Sequence, residues 1–329
     1  MFYTLAMKSC LYHHPNSGQC PNPLTPSEEA DGLCFWHQNT IKDEAGLKDK
    51  LEQQAAKDHH LTGYQLRKSQ LSGINLVNIG HKEGFALNDC DLYRANLSEA
   101  HLFGCDLSGS SLMKADLRFS NLHCANLTGC NLLGTRLEGC RLDNAEWGEH
   151  IIQEEQANSA KTEASRLDYW QQAEEIYRNL RKATEQEGLF EISGHFFERE
   201  MVMRRLQMPL LSSQRLFSKI VDVFCGYGER PIRVVMFSIL AILFFGTGYF
   251  FLGINDNGMT LALDPSNSLI ENIKQFLTCC YFSVVTFTTL GYGDLTPLGL
   301  SRFLAAVEAF IGSFTLALFV VVFVKKMTR

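Results

Sequence analysis

The chain has 329 residues, 46% of them hydrophobic and 20% charged, which suits packed domains and excludes a disordered polymer. Its 36 acidic against 30 basic residues leave a formal charge of −6, which argues against a general nucleic-acid binder, whose footprint is basic. The average conceals two halves: residues 1–210 are polar and charged, whereas 232–254 and 303–324 are almost wholly apolar, as membrane-embedded segments are.

In chain order, Met1 to Lys8 has no basic start and no long apolar run, so no secretory leader is expected. Residues 1–45 form a Cys/His cluster segment, rich in Pro and Gly and too short for a core of its own. Cys10, Cys20, Cys34 and His37 follow Cys-x9-Cys-x13-Cys-x2-His, whose last gap is that of a metal knuckle. Zinc is one account of this set and loose loop cysteines the other; His13 or His14 could replace a ligand.

Over residues 60–148 leucine recurs every fifth residue, from Leu87 to Leu142, with Trp147 next in phase. Two residues before each stands a small residue, as at Cys90, Ala95, Ala100 and Cys105, with Phe85 the exception. Neither regular element has this period, because five helical steps of about 100° miss the starting face and an odd step flips a strand. A coil turning a corner every five residues does. These repeats resemble the pentapeptide-repeat family over residues 61–147, and the resemblance implies a right-handed, four-sided β-helix with four repeats per coil. Leu61, Leu66, Leu71 and Leu76 continue the period upstream, and the eleven residues from Leu76 to Leu87 imply one extra residue, a bulge near Gly80 to Gly84. The cysteines at the small position read as packing rather than metal or redox chemistry. Some members of that family are acidic DNA mimics; nine acidic and eight basic residues between Leu61 and Trp147 count against that role here.

Residues 160–208 read as a helical hairpin, Ala164 to Gly188 and Leu189 to Met208, with Trp170, Ala173, Ile176, Tyr177 and Leu180 on one face. It weakly resembles a tetratricopeptide hairpin, and a packing spacer is the simpler expectation. Residues 210–230 carry an apolar stripe, Leu216, Phe217, Ile220, Val221 and Phe224, which suits a helix lying in a membrane interface and able to pass motion to the first span.

Residues 231–329 hold two spans, 232–254 and 303–324, each long enough for the roughly 30 Å hydrocarbon core. Ser268 to Glu271 fits a capping box opening a helix over 268–288. Then come Thr289, Leu290, Gly291, Tyr292, Gly293 and Asp294. Alternating glycines let successive carbonyls line one side of an extended backbone, and four such segments around an axis would offer rings of oxygens to a dehydrated cation. Thr286 to Asp294 resembles the filter of potassium channels, and span, re-entrant pore helix, filter, span resembles their two-transmembrane class over 232–326. The resemblance implies potassium ions held by the carbonyls of Thr289 to Gly293 and the Thr289 hydroxyl, with Asp294 at the external mouth. Leu290 stands where valine or isoleucine is commoner. Gly312 and Glu308 are gating candidates: Gly312 as a hinge or a close-packing site, Glu308 as a brace behind the pore helix or a polar residue bonded within the bundle.

Lys219, Arg230 and Arg233 precede the first span and Lys325, Lys326 and Arg329 follow the second, so both termini are expected in the cytoplasm of a multi-pass protein of the cell (inner) membrane. The eleven cysteines are then mostly in a reducing compartment. The expectation is a multidomain membrane protein. A homotetrameric potassium pore carries a cytoplasmic regulatory or assembly module, which takes an unidentified cytoplasmic ligand or protein; nucleic acid is not expected as a partner. No nucleophile and base or phosphate loop suggests an enzyme. The alternatives are a non-selective cation channel or a membrane-anchored scaffold that recruits a protein through the repeats.

Overall fold

The computed structural model describes residues 9–15, 18–58, 61–81, 84–256 and 258–327. They form two compact units, one up to Pro209 and one from Leu210 onward. In the first unit, β1 (His13–His14) pairs antiparallel with β2 (Gly18–Gln19). Helix α1 (Leu47–Lys57) then buries Leu47, Leu51 and Ala55, spaced four apart on one face, in the same core as the repeats. Sequence reading did not anticipate this short, polar helix.

The repeats form a ladder of isolated parallel bridges. From Ala86 on, each position pairs with the one twenty residues later, as Asp91 does with Ser111 and Ser111 with Asn131. Upstream the step is twenty-six, as from Gln65 to Asp91 and from Asn75 to His101. Six residues therefore leave the coil between Leu76 and Leu87, which corrects the expected one-residue bulge. Sequence counting reads that interval as two faces plus one residue, whereas the ladder treats it as a single face plus an excursion. Each ladder leucine from Leu61 to Leu142 is buried, and Tyr64, Ser69 and Ile74 extend the second inward column upstream.

The second column bonds as well as packs. The thiol of Cys130 and the hydroxyls of Ser110 and Thr135 donate to the carbonyls of Leu107, Leu87 and Leu112, each twenty-three residues back, at 2.9, 2.8 and 2.8 Å. Cys90 and Cys105 donate to Leu61 and Leu76 across twenty-nine, the same six-residue difference. Burial pushes the Cys90, Cys105 and Cys130 thiols up to about 12, so they stay protonated as donors. From Asp89 to Asn144 every fifth residue takes a left-handed corner. Glycine fills some, such as Gly104 and Gly129, but Arg94, Glu99, Lys114, Phe119 and Cys124 adopt it with φ between 56 and 60°. The Cys124 side chain at its corner is exposed.

Beyond the repeats come α2 (Ile152–Ser159), α3 (Glu163–Gln186) and α4 (Phe190–Leu206). The last two fall within residues 160–208, where the sequence reads as two helices; α2 has no counterpart in that reading. Thr162 caps α3 by accepting from the Ser165 N–H. Ala173, Ile176, Tyr177 and Leu180 of the expected face, with Phe196 and Met203, share one core with the leucine ladder and with Cys10, Cys34 and Trp36. The described residues of the N-terminal segment, the repeats and the two long helices thus share one interior. Asn179 donates to the Thr135 carbonyl at 2.7 Å, and Glu154, buried, takes hydrogen bonds from Tyr177 and Arg199.

In the second unit, α5 (Ser213–Cys225) leads through Gly226 into α6 (Pro231–Leu252). The expected stripe on α5 divides between two faces: Val221 and Phe224 pack on Val234 and Val322, whereas Leu216, Phe217 and Ile220 are exposed, as is Val223 outside the stripe. Arg233 donates to the Asp222 carbonyl and carboxylate at 2.7 and 3.1 Å, and Lys325 pairs with Glu229 at 2.5 Å, tying the α5–α6 elbow to the far end of α8 (Ser301–Met327). The first span was expected to reach residue 254. Instead α6 ends at Leu252, because Gly253 (φ 90°) turns the chain into β3 (Ile254–Asp256). This strand lies between β4 (Met259–Leu261) and β5 (Leu295–Pro297), both antiparallel to it. Three-residue strands carry no alternation that a sequence pattern could reveal. Helix α8 also runs longer than the expected 303–324. Helices α6 and α8 are each long and apolar enough to cross a membrane.

Candidate functional site

Helix α7 (Leu269–Phe287) lies in the sequence between the two apolar helices, packs on both, and delivers the candidate pore segment. Its start is fixed by the expected capping box: the Ser268 side chain accepts from the Glu271 N–H while the Glu271 carboxylate accepts from the Ser268 N–H. Its end is a Schellman motif. The Leu290 N–H bonds the Val285 carbonyl and the Thr289 N–H bonds that of Thr286, both at 3.0 Å, and Thr289 takes the left-handed position that glycine usually fills. Thr289, Gly291 and Gly293 have φ of 56, 58 and 79°, so every second residue of the segment is left-handed. The negative end of the α7 dipole lies where this stretch begins. Leu290 and Tyr292 are exposed, at 58 and 68%, and a Cβ added at Gly291 or Gly293 would meet nothing within 4 Å, so these residues are not packed within one chain. Asp294 accepts from the Tyr281 hydroxyl at 2.9 Å, which pins the far end of the segment back onto α7.

Glu308 on α8 is fully buried. Its carboxylate accepts from the Tyr249 hydroxyl of α6 at 2.5 Å and from the Ser283 hydroxyl of α7, and Ser283 also reaches the Ile242 carbonyl at 2.9 Å. The group therefore ties three helices together through α7, not through residues 289–294 themselves. Gly312, one turn on, lies against the last turn of α7: an added Cβ would stand 2.0 Å from the Phe287 carbonyl oxygen. Close packing accounts for this glycine, and α8 runs unbroken through it. Sequence reading missed Tyr249, Tyr281 and Ser283, whose one signal was polar groups inside apolar helices.

The first unit brings Cys10, Cys20, Cys34 and His37 together, all buried, with one ligand atom from each lying within 4.8 Å of the others. Cys34 Sγ is 3.9 Å from Cys20 Sγ and 3.2 Å from His37 Nδ1, and Cys10 Sγ is 3.6 Å from that nitrogen. His37 Nε2 lies 3.0 Å from the Thr62 carbonyl, which can only accept, so the proton sits on Nε2 and Nδ1 presents its lone pair to the sulfurs. The hydrogen bond with Cys20 and burial push Cys34 up to about 12, burial raises Cys10, and the bond from Cys34 lowers Cys20. His14 is committed elsewhere, bonding Asp89 at 2.7 Å, and His13 is exposed.

Residues 237–329 match the family profile described as Ion channel, and residues 90–123 and 120–146 match Pentapeptide repeats in eight copies. The chain joins an ion-channel domain to a pentapeptide-repeat domain. Neither is an enzyme family. Over 79 residues the chain is 28% identical to Protein LctB of Bacillus caldotenax, covering 24% of this chain and 58% of that protein. Among solved structures it is similar to the pentapeptide repeat protein Rfr23 of the cyanobacterium Cyanothece 51142, with 33% identity, 27% of this chain, 57% of that chain and a TM-score of 0.20. It is also similar to alr5209, a pentapeptide repeat protein of Nostoc Pcc 7120, with 29% identity, 31% of this chain, 77% of that one and a TM-score of 0.22. The chain thus spans somewhat over half the length of LctB and Rfr23. The channel domain and its two apolar helices fit a membrane protein.

Proposed function

We propose that the chain is a potassium-selective channel, active as a homotetramer in the cell (inner) membrane with both termini cytoplasmic. The observation that carries this is the alternation of left-handed residues at Thr289, Gly291 and Gly293 at the dipole-negative end of a helix flanked by two span-length helices. Alternating left- and right-handed residues bring successive carbonyls to one side of an extended strand. Four copies close that row into rings that replace a cation's water shell, with the Thr289 hydroxyl as the innermost donor. One chain supplies a quarter of each ring, which agrees with the exposure of Leu290 and Tyr292. In this reading α7 is the re-entrant pore helix and Asp294, held by Tyr281, lies at the external mouth.

The repeats are a right-handed, four-sided β-helix, which the twenty-residue ladder supports as four five-residue faces per coil. They form a cytoplasmic regulatory or assembly module. Helix α5 lies in the membrane interface on its exposed face of Leu216, Phe217, Ile220 and Val223. Purified protein in a planar bilayer, with potassium on one side and sodium on the other, tests the reading. A reversal potential near the potassium equilibrium value, lost in Gly291→Asp protein, is the expected result. Current without discrimination would make it a non-selective cation channel. No current under any condition would favour a membrane-anchored scaffold whose repeats recruit a protein.

A further inference from the structure

We propose that Cys10, Cys20, Cys34 and His37 bind one Zn²⁺ that staples the N-terminal segment over the first coil of the repeats. A tetrahedral zinc with Zn–S near 2.3 Å and Zn–N near 2.0 Å separates its ligand atoms by about 3.5–3.8 Å. The separations of 3.9, 3.6 and 3.2 Å already lie around that range. Three sulfurs and one imidazole are the donor set that a borderline-soft, redox-inert cation takes in closed structural sites. The orientation of the histidine is set as a ligand requires, with Nε2–H spent on the Thr62 carbonyl and Nδ1 turned inward. Zinc entry displaces the three thiol protons, and Zn²⁺ with three thiolates and a neutral imidazole carries one net negative charge. Lys42, buried, donates to the carbonyls of Gln38, next to the ligand His37, and of Gln65 on the coil at 3.0 and 2.7 Å. A cleft lined by Gln19, Cys20, His37 and Thr62 provides the entry path.

His37 and the residues that neighbour the ligands also grip the coil. Trp36 stacks on Tyr64 at 5.2 Å, the Gln65 N–H bonds the Trp36 carbonyl at 2.8 Å, and the Lys42 and His37 contacts reach Gln65 and Thr62. A solenoid needs a cap at each end, and a segment this short and poor in secondary structure needs a staple to act as one. Zinc is that staple.

The test uses the full chain, purified in detergent under reducing conditions and without chelator, with metal measured by mass spectrometry. One zinc per chain is expected for the wild type and for Cys105→Ser, whose thiol lies outside the cluster. Cys34→Ser should lose the metal, and His37→Cys should keep it, since a thiolate can replace the imidazole. Because Cys34→Ser protein could fail to fold, wild-type protein stripped and refilled with Co²⁺ gives a second measure: intense ligand-field and thiolate charge-transfer bands of tetrahedral cobalt are expected. Stripping should also raise tryptic cleavage at Lys48 and Lys50 by about tenfold or more, reversed by zinc, as an opened cap is digested. Metal-free wild type without a cobalt spectrum, a Cys20–Cys34 disulfide in its place, or zinc retained by Cys34→Ser would overturn the site. Cleavage indifferent to zinc would overturn the staple.

Discussion

Gly312→Ala separates packing from hinging in α8. The new Cβ would stand 2.0 Å from the Phe287 carbonyl oxygen and 2.8 Å from its carbon, whereas real Cβ atoms keep beyond 3.0 Å. Both obstacles are backbone, so no rotamer change relieves them, and α8 must move off the end of α7 by more than an ångström. Overpacking of this kind costs about 1–3 kcal/mol. The strain falls on the last turn of α7, whose Thr286 and Val285 carbonyls hold the N–H groups of Thr289 and Leu290. At about 2 kcal/mol the local opening that exposes those amides becomes roughly thirty times more frequent. Hydrogen exchange in lipid nanodiscs reads this directly, and under the proposed function single-channel recording should show reduced potassium current. Gly248→Ala is the internal control: its Cβ also meets an atom too closely, at 2.7 Å, but that atom is the far end of the Leu304 side chain, which can swing aside. Unchanged exchange at Thr289 and Leu290 in Gly312→Ala, or a larger effect from Gly248→Ala, would refute the packing account. A shift in open probability with unaltered exchange would restore the hinge.

Tyr249→Phe deletes one of two donors to a carboxylate sealed among three helices and should lower the thermal midpoint of the detergent-solubilised protein by an amount corresponding to about 1 kcal/mol; no change would mean that Glu308 is satisfied without it. Ser110 both donates to the Leu87 carbonyl and accepts from the Cys90 N–H at 2.9 Å, so Ser110→Ala should cost the repeats about 1–3 kcal/mol by denaturant titration. Ser110→Cys should cost less, because Cys130 makes the equivalent bond. The Arg118 guanidinium beside Asp116 holds its carboxyl below the ordinary value of 3.8. The stabilisation from that pair is therefore complete above 3.8 and lost as pH falls through the depressed value. Wild type and Asp116→Asn should differ in melting temperature at pH 6 and converge towards pH 2, and a gap independent of pH would exclude the pair as its source.

Much of the fold is written in local periods. The leucine ladder is legible because each five-residue face repeats the same inward pair, and the α7 start because Ser268 and Glu271 stand three apart. The excursion after Leu76 is not, because a count in one dimension cannot tell two faces plus one residue from one face plus six. Only partners on the next coil decide. The same holds at the candidate sites. Thr289 to Asp294 and the four zinc-site residues are chemically conspicuous in sequence, but Tyr281 with Asp294, and Tyr249 and Ser283 with Glu308, meet across 13, 59 and 25 residues. Nothing in the neighbourhood of Glu308 announces its donors. Spacing alone admits His13 or His14 in place of one of the four ligands, because it cannot show that His14 is already committed to Asp89.

The left-handed corner at Cys124 also makes the protein a ready-labelled reporter. Of the eleven cysteines nine are buried and Cys280 is half-buried, so a maleimide dye added to the unmodified protein will attach first at this corner. The backbone there is held by the coils on either side, so the dye rides on a rigid frame with its linker pointing outward. Polarised fluorescence, and dye-to-dye energy transfer among the copies of the proposed tetramer, would then follow the repeats without any engineered residue.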